Sequence, residues 1–416
     1  MQINRVLVII CERSILQFLL LSQGPDGNSL IGAKKVRINS HTIDFSITEY
    51  ILQALTIWGG TLGVTFVKEM VLLVPQVDNE GVGEIIIFTD IDYADLSTLT
   101  KNVYVKSDDI EQEGASLIAE SYNFERLLYV GLEQDSSDIV SFCKNKKDTV
   151  RVVSESDKFS VKEILEHDEL RKITDQYAVL SDYNTISNYL MNESFIPVFS
   201  VTDIRNVLLE FLLAFFRFKK IVNKKKLSLA GFGGGEIDKH ILIIGGEAMR
   251  IFDNYPLHIL SILSVLNLSG TFSIFIDKFG IYDALQKMMK FQSNINSFSD
   301  ILLDFWGYGI VANTKKSHSL HKLIGEVRFI EDTNERVEKL FSDGILKHTI
   351  DEETNATVEL ASNYFIKGNN TNLDITIGES NVLIDTRDRT VYSFLQSQDN
   401  RDELLLRWFK NIGVIP

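Results

Sequence analysis

The pattern of apolar and polar residues along this chain changes near Gly325. Before that residue, apolar runs typical of buried strands alternate with stretches that have the 3.6-residue spacing of amphipathic helices. The predicted strands are 5–10, 15–21, 33–38, 69–74, 84–89, 126–131, 149–153, 177–180, 241–244 and 271–276. The predicted helices are 46–58, 108–122, 139–144, 161–176, 201–220 and 257–268. This alternation predicts an α/β core, with three opening strands as an antiparallel meander and Gly59-Gly60 ending the first helix.

After Gly325 short strands with turn residues take over and predict a small β-rich domain. The predicted strands are 326–330, 344–350, 357–360, 373–377 and 381–385. Asp385 to Arg389 is interpreted as a charged hairpin turn, and residues 401–412 predict an amphipathic C-terminal helix. We expect Trp408 and Phe409 to pack this helix onto the preceding strands.

Changes in amino-acid composition along the chain predict three domains. They are an N-terminal α/β lobe at 1–220, a second, shortened α/β lobe at 221–324 and the β-rich domain at 325–416. A lysine cluster at 219–226 and a glycine-rich stretch at 227–236 mark the first boundary. The triple glycine within that stretch is interpreted as a connector, because the lysine-serine pair of a phosphate-binding loop does not follow it.

The best candidate for a ligand-facing turn is the passage from the strand at 241–244 through Gly245 and Gly246 into a helix. Two interpretations remain open. The glycines form a tight strand-to-helix turn, or they let the backbone approach a nucleotide base and ribose. Asp277 follows the next predicted strand, and ligands of parallel sheets bind at the carboxyl ends of strands, so we expect both places to face the same ligand.

Charge and cysteine content exclude several classes of protein. The 416 residues carry a formal net charge of −15, so a nucleic-acid partner is not expected. The two cysteines form neither a disulfide framework nor a zinc site, which favours the cytoplasm. The apolar stretch 207–218 is too short to span a bilayer, so we expect at most an indirect membrane contact.

Several of these segments together resemble the MutL (GlmL) family that accompanies cobalamin-dependent glutamate mutase. The matching segments are 6–21, the helix end at Gly59-Gly60, 127–131, 243–246, 277–280 and, most specifically, 378–389 with 401–414. The resemblance implies an actin-like fold with ribonuclease H-like α/β lobes that clamp ATP and magnesium. It also implies an adenosine-side contact at Gly245, Gly246 and Glu247.

The chain departs from that family where the phosphates would bind. The family's first phosphate loop follows an Asp-x-Gly strand end, whereas this chain has Glu12, Arg13 and Ser14 after Ile10-Cys11. Glu12 is the carboxylate expected near magnesium, and Arg13 and Ser14 are the residues left to contact an anion. The second phosphate loop is expected between Pro197 and Asp238, where the sequence matches nothing but the unaligned triple glycine.

The favoured function is therefore a degenerate actin-like pseudo-ATPase that acts as a scaffold or assembly partner for other proteins. It implies no catalytic residue, no metal ligand and no cofactor. One alternative is a divergent ATP-dependent chaperone or reactivase, which would bind ATP and magnesium and serve a subunit of a cobalamin-dependent mutase. Another is an actin-like anchor of a membrane-bound machine, built on the apolar helix 201–218.

Overall fold

The chain forms two compact units, each composed of two separate stretches of sequence. The computed structural model describes residues 4–11, 15–24, 27–37, 47–62, 84–89, 103–105, 118, 122–132, 137–143, 150–153, 207, 211, 214–215, 218–219, 222, 232, 237–246, 255–266, 268–282, 285, 298–300, 303–314, 321–331, 334–366, 370–387 and 401–415. The predicted elements at 69–74, 161–176 and 177–180 lie outside these residues, as does most of the predicted helix 108–122, of which Ile118 is helical.

The strands and helices are numbered in chain order. The strands are β1 (Asn4–Cys11), β2 (Ile15–Gly24), β3 (Gly27–Arg37), β4 (Glu84–Thr89), β5 (Val103–Val105), β6 (Arg126–Leu132), β7 (Ser137–Cys143), β8 (Val150–Val153), β9 (His240–Gly245), β10 (Gly270–Ile276), β11 (Phe298–Asp300), β12 (Asp304–Val311), β13 (Asn313–Thr314), β14 (Leu323–Glu331), β15 (Asn334–Phe341), β16 (Ile345–Ile350), β17 (Thr354–Leu360), β18 (Tyr364–Phe365), β19 (Asn372–Ile377) and β20 (Ser380–Asp385). The helices are α1 (Ile47–Leu62), α2 (Tyr255–Leu266) and α3 (Arg401–Asn411), and a 3-10 turn at Ile237–Lys239 precedes β9.

The first unit, Met1–Asn123 with Asp277–Leu303, contains a six-stranded sheet in the order β11-β3-β2-β1-β4-β5. The first three strands form the predicted antiparallel meander, β4 runs parallel to β1, and β5 runs parallel to β4. Alternate apolar residues of β1 and β2 face α1 and form its core with Ile51, Leu55 and Trp58. The helix runs through Gly59-Gly60 to Leu62, so the predicted stop was wrong. A glycine costs about 1 kcal/mol relative to alanine in a helix, and packing on the sheet outweighs this cost.

The second unit, Phe124–Ile276 with Asp304–Pro416, contains an eight-stranded sheet in the order β16-β20-β12-β10-β9-β6-β7-β8. Its first three strands, β6 to β8, again form an antiparallel meander, β9 runs parallel to β6, and β10 runs parallel to β9. The strand order of the first unit is therefore repeated in the second. This repetition confirms the prediction of two related α/β lobes.

The helix predicted at residues 139–144 was wrong, because residues 139–143 belong to strand β7. Residues 137–143 instead pair with β6 on one side and with β8 on the other. Ile139 and Val140 are both buried, and Ile139 lies in the core that α2 and α3 share. A short apolar run has no periodicity that separates helix from strand, and pairing with two neighbours decided the outcome.

The C-terminal strands are divided between two sheets. Strands β16 and β20 extend the eight-stranded sheet beside β12, while β15-β14-β17-β19 form a separate antiparallel sheet. Pairing therefore crosses both expected boundaries, since β6 pairs with β9 across 220/221 and β12 pairs with β20 across 324/325. The compact units thus differ from the three domains that the composition predicts.

Period-two alternation places two different cores on the two faces of the extended sheet. On one face Val311, Leu383 and Ile345 join a core with α2 and α3. On the other face Ile310, Val382 and Ile384 join the core of the four-stranded sheet. Trp408 and Phe409 of α3 are buried in the first of these cores, which confirms the packing predicted for the last helix.

The apolar helix predicted at 201–220 contributes to the same core. Val207, Phe211, Ala214 and Phe218 are helical and buried there, at the spacing of one helix face. In the part of the chain that the structure describes, no helix combines the length and the apolar character needed to cross a bilayer.

Candidate functional site

The candidate site lies at the carboxyl ends of β6 and β9, which are parallel neighbours in the second lobe. Gly131 near the end of β6 is the register partner of Gly245 in β9 and of Asp138 in β7. A Cβ atom on Gly131 would lie 3.0 Å from Cε1 of Tyr129, so glycine at this position leaves room for the tyrosine ring. Two buried strand ends without side chains therefore lie side by side.

Gly246 makes the turn that ends β9. Its φ angle is 97°, in the left-handed region that glycine adopts without steric cost. Gly245 completes the strand, and both glycines are buried. The turn geometry thus accounts for Gly246 by itself, and the ligand contact proposed for the pair stays a prediction. Glu247 lies outside the described residues.

Asp277 is fully buried at the end of β10, and its side chain binds backbone groups. Oδ1 accepts a hydrogen bond from the Ile281 amide at 2.7 Å, and Oδ2 accepts one from the Tyr282 amide at 3.0 Å. A carboxylate is favoured there because the first amides of a helical turn lack intrahelical partners. Asp277 belongs to the first unit and Gly245-Gly246 to the second, and a shared ligand stays a prediction.

The first hairpin of each lobe has the same place in the strand order. In the first lobe Cys11 pairs with Leu16, which brackets Glu12, Arg13 and Ser14, residues that lie outside the described part of the chain. In the second lobe Leu132 pairs with Ser137, and residues 133–136 between them read Glu-Gln-Asp-Ser. Neither connection contains a glycine.

The β6–β7 hairpin corrects the expected position of the second phosphate loop. The resemblance suggested the interval between Pro197 and Asp238, and a second lobe that began after residue 220. The equivalent hairpin lies at 132–137, and the second lobe begins at Phe124 with all five strands of the repeated order. The sequence did not predict this hairpin, because residues 139–144 were interpreted as a helix. The two successive strand patterns after residue 126 were the signal that could have revealed it.

Charged residues near the C-terminus form a buried cluster, where the sequence reading expected a charged hairpin turn. Arg387 donates from Nε to Oδ1 of Asp385 at 2.8 Å, from Nη2 to Oδ2 at 2.7 Å and from Nη1 to Oγ of Ser264 at 2.9 Å. Its guanidinium lies 4.8 Å from the centre of the Trp408 ring. The cluster joins β20, α2 and α3, so its role is structural. Within the described ranges no three His, Cys, Asp or Glu residues are grouped as a metal site requires.

Comparison with known proteins finds likenesses among solved structures only. No protein family matches the sequence, and no curated protein matches it. A Ppx/GppA family member from Aquifex aeolicus is 11% identical, with 69% of this chain and 98% of that one covered at a TM-score of 0.31. The ethanolamine utilization protein EutJ from Carboxydothermus hydrogenoformans is 8% identical, with 67% and 87% covered at a TM-score of 0.31. A pCBH ParM mutant is 13% identical, with 69% and 99% covered at a TM-score of 0.29.

The strand order itself decides the fold. Each lobe has a three-stranded antiparallel meander followed by two parallel strands beside its first strand, which is the ribonuclease H-like arrangement. The fold is actin-like. The similarities to the solved structures are too weak to carry any argument about activity, and the narrower resemblance to the MutL (GlmL) family stays a prediction.

Proposed function

We propose that this actin-like protein is a pseudo-ATPase that serves as a scaffold or assembly partner in a protein complex. The observation that supports this function best is the pair of equivalent hairpins, since both are joined by residues other than glycine. Phosphoryl transfer relies on backbone amides that approach the phosphates closely, and side chains at those positions hinder that approach.

The carboxylate content of the site supports the same conclusion. Magnesium bound to a nucleotide is held by one or two protein carboxylates that are free to face it. Asp277 directs both of its oxygens to backbone amides. Glu12 and Glu247 are then the carboxylates that remain from the expected set, and both lie outside the described residues. Metal-assisted hydrolysis therefore has little support.

The membrane-anchor alternative loses its main argument. That alternative used the apolar face of the helix at 201–218, and Val207, Phe211 and Phe218 of that helix pack in the core of the second lobe. The reactivase alternative keeps only the actin-like fold in its favour, and a cobalamin-dependent mutase as the partner stays an expectation from the resemblance.

The first test is turnover and binding of ATP by the purified chain with magnesium, beside a Glu12→Ala variant. We expect no phosphate release above the protein-free rate and no difference between the two proteins. Binding of adenosine without the phosphates at Gly245-Gly246 is compatible with the proposal. Magnesium-dependent hydrolysis that the Glu12→Ala substitution abolishes would replace the proposal with the chaperone-ATPase alternative.

The second test addresses the scaffold role directly. The native chain is purified from its host and the co-purifying proteins are identified by mass spectrometry. We expect a partner in fixed stoichiometry that stays bound when ATP, ADP or a non-hydrolysable analogue is added. Release of the partner by ATP alone would favour the reactivase, and a chain without partners would contradict the scaffold role.

A further inference from the structure

One buried carboxylate oxygen in the second lobe lacks a hydrogen-bond donor within the described part of the chain. It is Oδ1 of Asp343, in the turn between β15 and β16, and the side chain is only 3% exposed. The other oxygen, Oδ2, accepts from Nη2 of Arg407 on α3 at 2.8 Å. A buried charged oxygen without a donor is unfavourable, so a donor that reaches it under some condition is expected.

His321, which precedes β14, is the nearest group that is able to supply such a donor. Its Nδ1 lies 3.6 Å from Oδ1 of Asp343 and 2.7 Å from Nη1 of Arg407. A guanidinium only donates, so Nδ1 accepts from Arg407 in this arrangement and carries no proton. The neutral ring therefore has its proton on Nε2.

The surroundings of the ring favour an exchange of partners over a large movement. His321 stacks nearly flat on Phe341, with 4.5 Å between ring centres and 7° between the planes. Its backbone φ is 55°, a left-handed value that histidine tolerates better than most residues. The side chain is 58% exposed, so solvent protons reach it. Asp343 and Arg407 are the charged residues in contact with its Nδ1.

We propose that His321 is a proton-operated switch whose Nδ1 exchanges Arg407 for Asp343. A proton taken from solvent onto Nδ1 removes the acceptor that Arg407 uses and creates the donor that Oδ1 of Asp343 lacks. The new Nδ1–H···Oδ1 bond is charge-assisted on both sides and therefore stronger than a neutral one. Arg407 keeps its bond to Oδ2, and its Nη1 is released to solvent.

The switch links proton binding to the attachment of the last helix. Asp343 also accepts from Nε1 of Trp408 through its backbone carbonyl at 2.7 Å, so the same turn holds α3 at two points. The protonated ring adds a third connection to this turn, from the segment that leads into β14. On acidification we therefore expect the turn between β15 and β16 to become more stable. At the same time Nη1 of Arg407 becomes available to bind an external oxyanion.

The experiment is histidine-selective nitrogen NMR on the full chain, in which a His321→Gln variant identifies the signals of His321 among those of the seven histidines. When the His321 ring is uncharged, we expect its Nε2–H tautomer to predominate in the native chain. In an Arg407→Met variant, which keeps the aliphatic stem and removes the donor, the fraction of that tautomer should fall. In acid the Nδ1–H proton should exchange slowly with water, and about tenfold faster in Asp343→Asn.

Each readout decides the proposal separately. An Nδ1–H tautomer in the neutral native chain would overturn it, as would equal proton exchange in the native and Asp343→Asn proteins. Should Asp343→Asn fail to fold by circular dichroism, the tautomer ratio in Arg407→Met decides, and an unchanged ratio would overturn the switch. The signals of His348, identified with a His348→Gln variant, serve as the internal control and should be the same in the native, Arg407→Met and Asp343→Asn proteins.

Discussion

At the scale of single residues, Gly246 shows how turn geometry near the candidate site restricts the sequence. We expect Gly246→Ala to lower the free energy of unfolding by about 1–2 kcal/mol, because its φ of 97° brings a Cβ into collision with its own backbone. The matched control is Gly378→Ala, whose added Cβ would meet no atom within 4 Å. Urea denaturation of the two variants measures the difference. Equal effects would show that the turn at Gly246 tolerates a side chain.

His348 in β16 is expected to make stability depend on pH. Its ring lies 4.4 Å from that of Phe329, and burial, followed by the charge of Arg336, lowers its pKa below the ordinary 6.5. The folded state thus binds the proton less readily than the unfolded state. The stabilising contribution is present above pH 6.5 and is lost as pH falls through the lower, folded-state pKa.

The measurement is the urea midpoint of the native chain and of His348→Gln between about pH 7.5 and about pH 5. The native midpoint should fall more steeply on acidification than that of the variant. The difference between the two curves isolates His348 from the other titrating groups. Parallel curves would show that its protonation does not contribute.

At the scale of elements, Trp408 is a large aromatic side chain that attaches α3 to the second lobe. Trp408 is fully buried, donates from Nε1 to the carbonyl of Asp343 and lies against the guanidinium of Arg387. We expect Trp408→Ala to cost roughly 3–5 kcal/mol of stability, and removal of the chain from Arg401 onward to cost more. Lys410→Ala, on the exposed side of the same helix, should change stability by less than about 0.5 kcal/mol. An unchanged denaturation midpoint in Trp408→Ala would contradict this packing.

The elements that were predicted correctly are those whose local sequence has a clear hydrophobic pattern. Strands β1, β6 and β9 contain continuous apolar runs, and α3 has apolar residues on one face. Strand β15 was missed because it is an edge strand, Asn-Glu-Arg-Val-Glu-Lys-Leu-Phe, whose residues are mostly exposed and show no alternation. Strand β12 was missed because Gly307 and Gly309 interrupt its apolar run. Glycine fits there because the backbone of Asn381 and the ring of Phe272 approach these positions closely.

The candidate site was less predictable than the fold. The turn at Gly245-Gly246 was found because glycines after a buried strand are a local signal. The equivalence of the two hairpins was not found, because it depends on which strands pair across more than a hundred residues of sequence. The role of Asp277 also follows from the amides that a later turn presents to it. Such relations are properties of the folded chain and leave little trace in local patterns.

At the scale of the whole molecule, the eight-stranded sheet joins residues from both sides of position 324. A chain that ends at residue 324 would lose β16, β20 and α3, and would expose Ile310 and Val311 of β12 on both faces. We expect this chain to be sensitive to trypsin and to lack cooperative unfolding by circular dichroism. Co-expression of residues 325–416 as a separate polypeptide should restore protease resistance, since pairing does not require a continuous backbone. A stable, resistant 1–324 chain would instead support an independent C-terminal domain.

The pairing of β3 with β11 has a consequence for synthesis on the ribosome. Phe298 of β11 pairs with Asn28 of β3, so the edge of the first sheet closes with residues 270 positions later in the chain (298 − 28). At about 5–20 residues per second, roughly 15–55 s pass between the translation of the two strands. During that interval one edge of a nascent, largely apolar lobe has no strand to pair with, and exposed edges are prone to pair with other chains. Translation speed across the second lobe is therefore expected to influence how much of this protein reaches its native state.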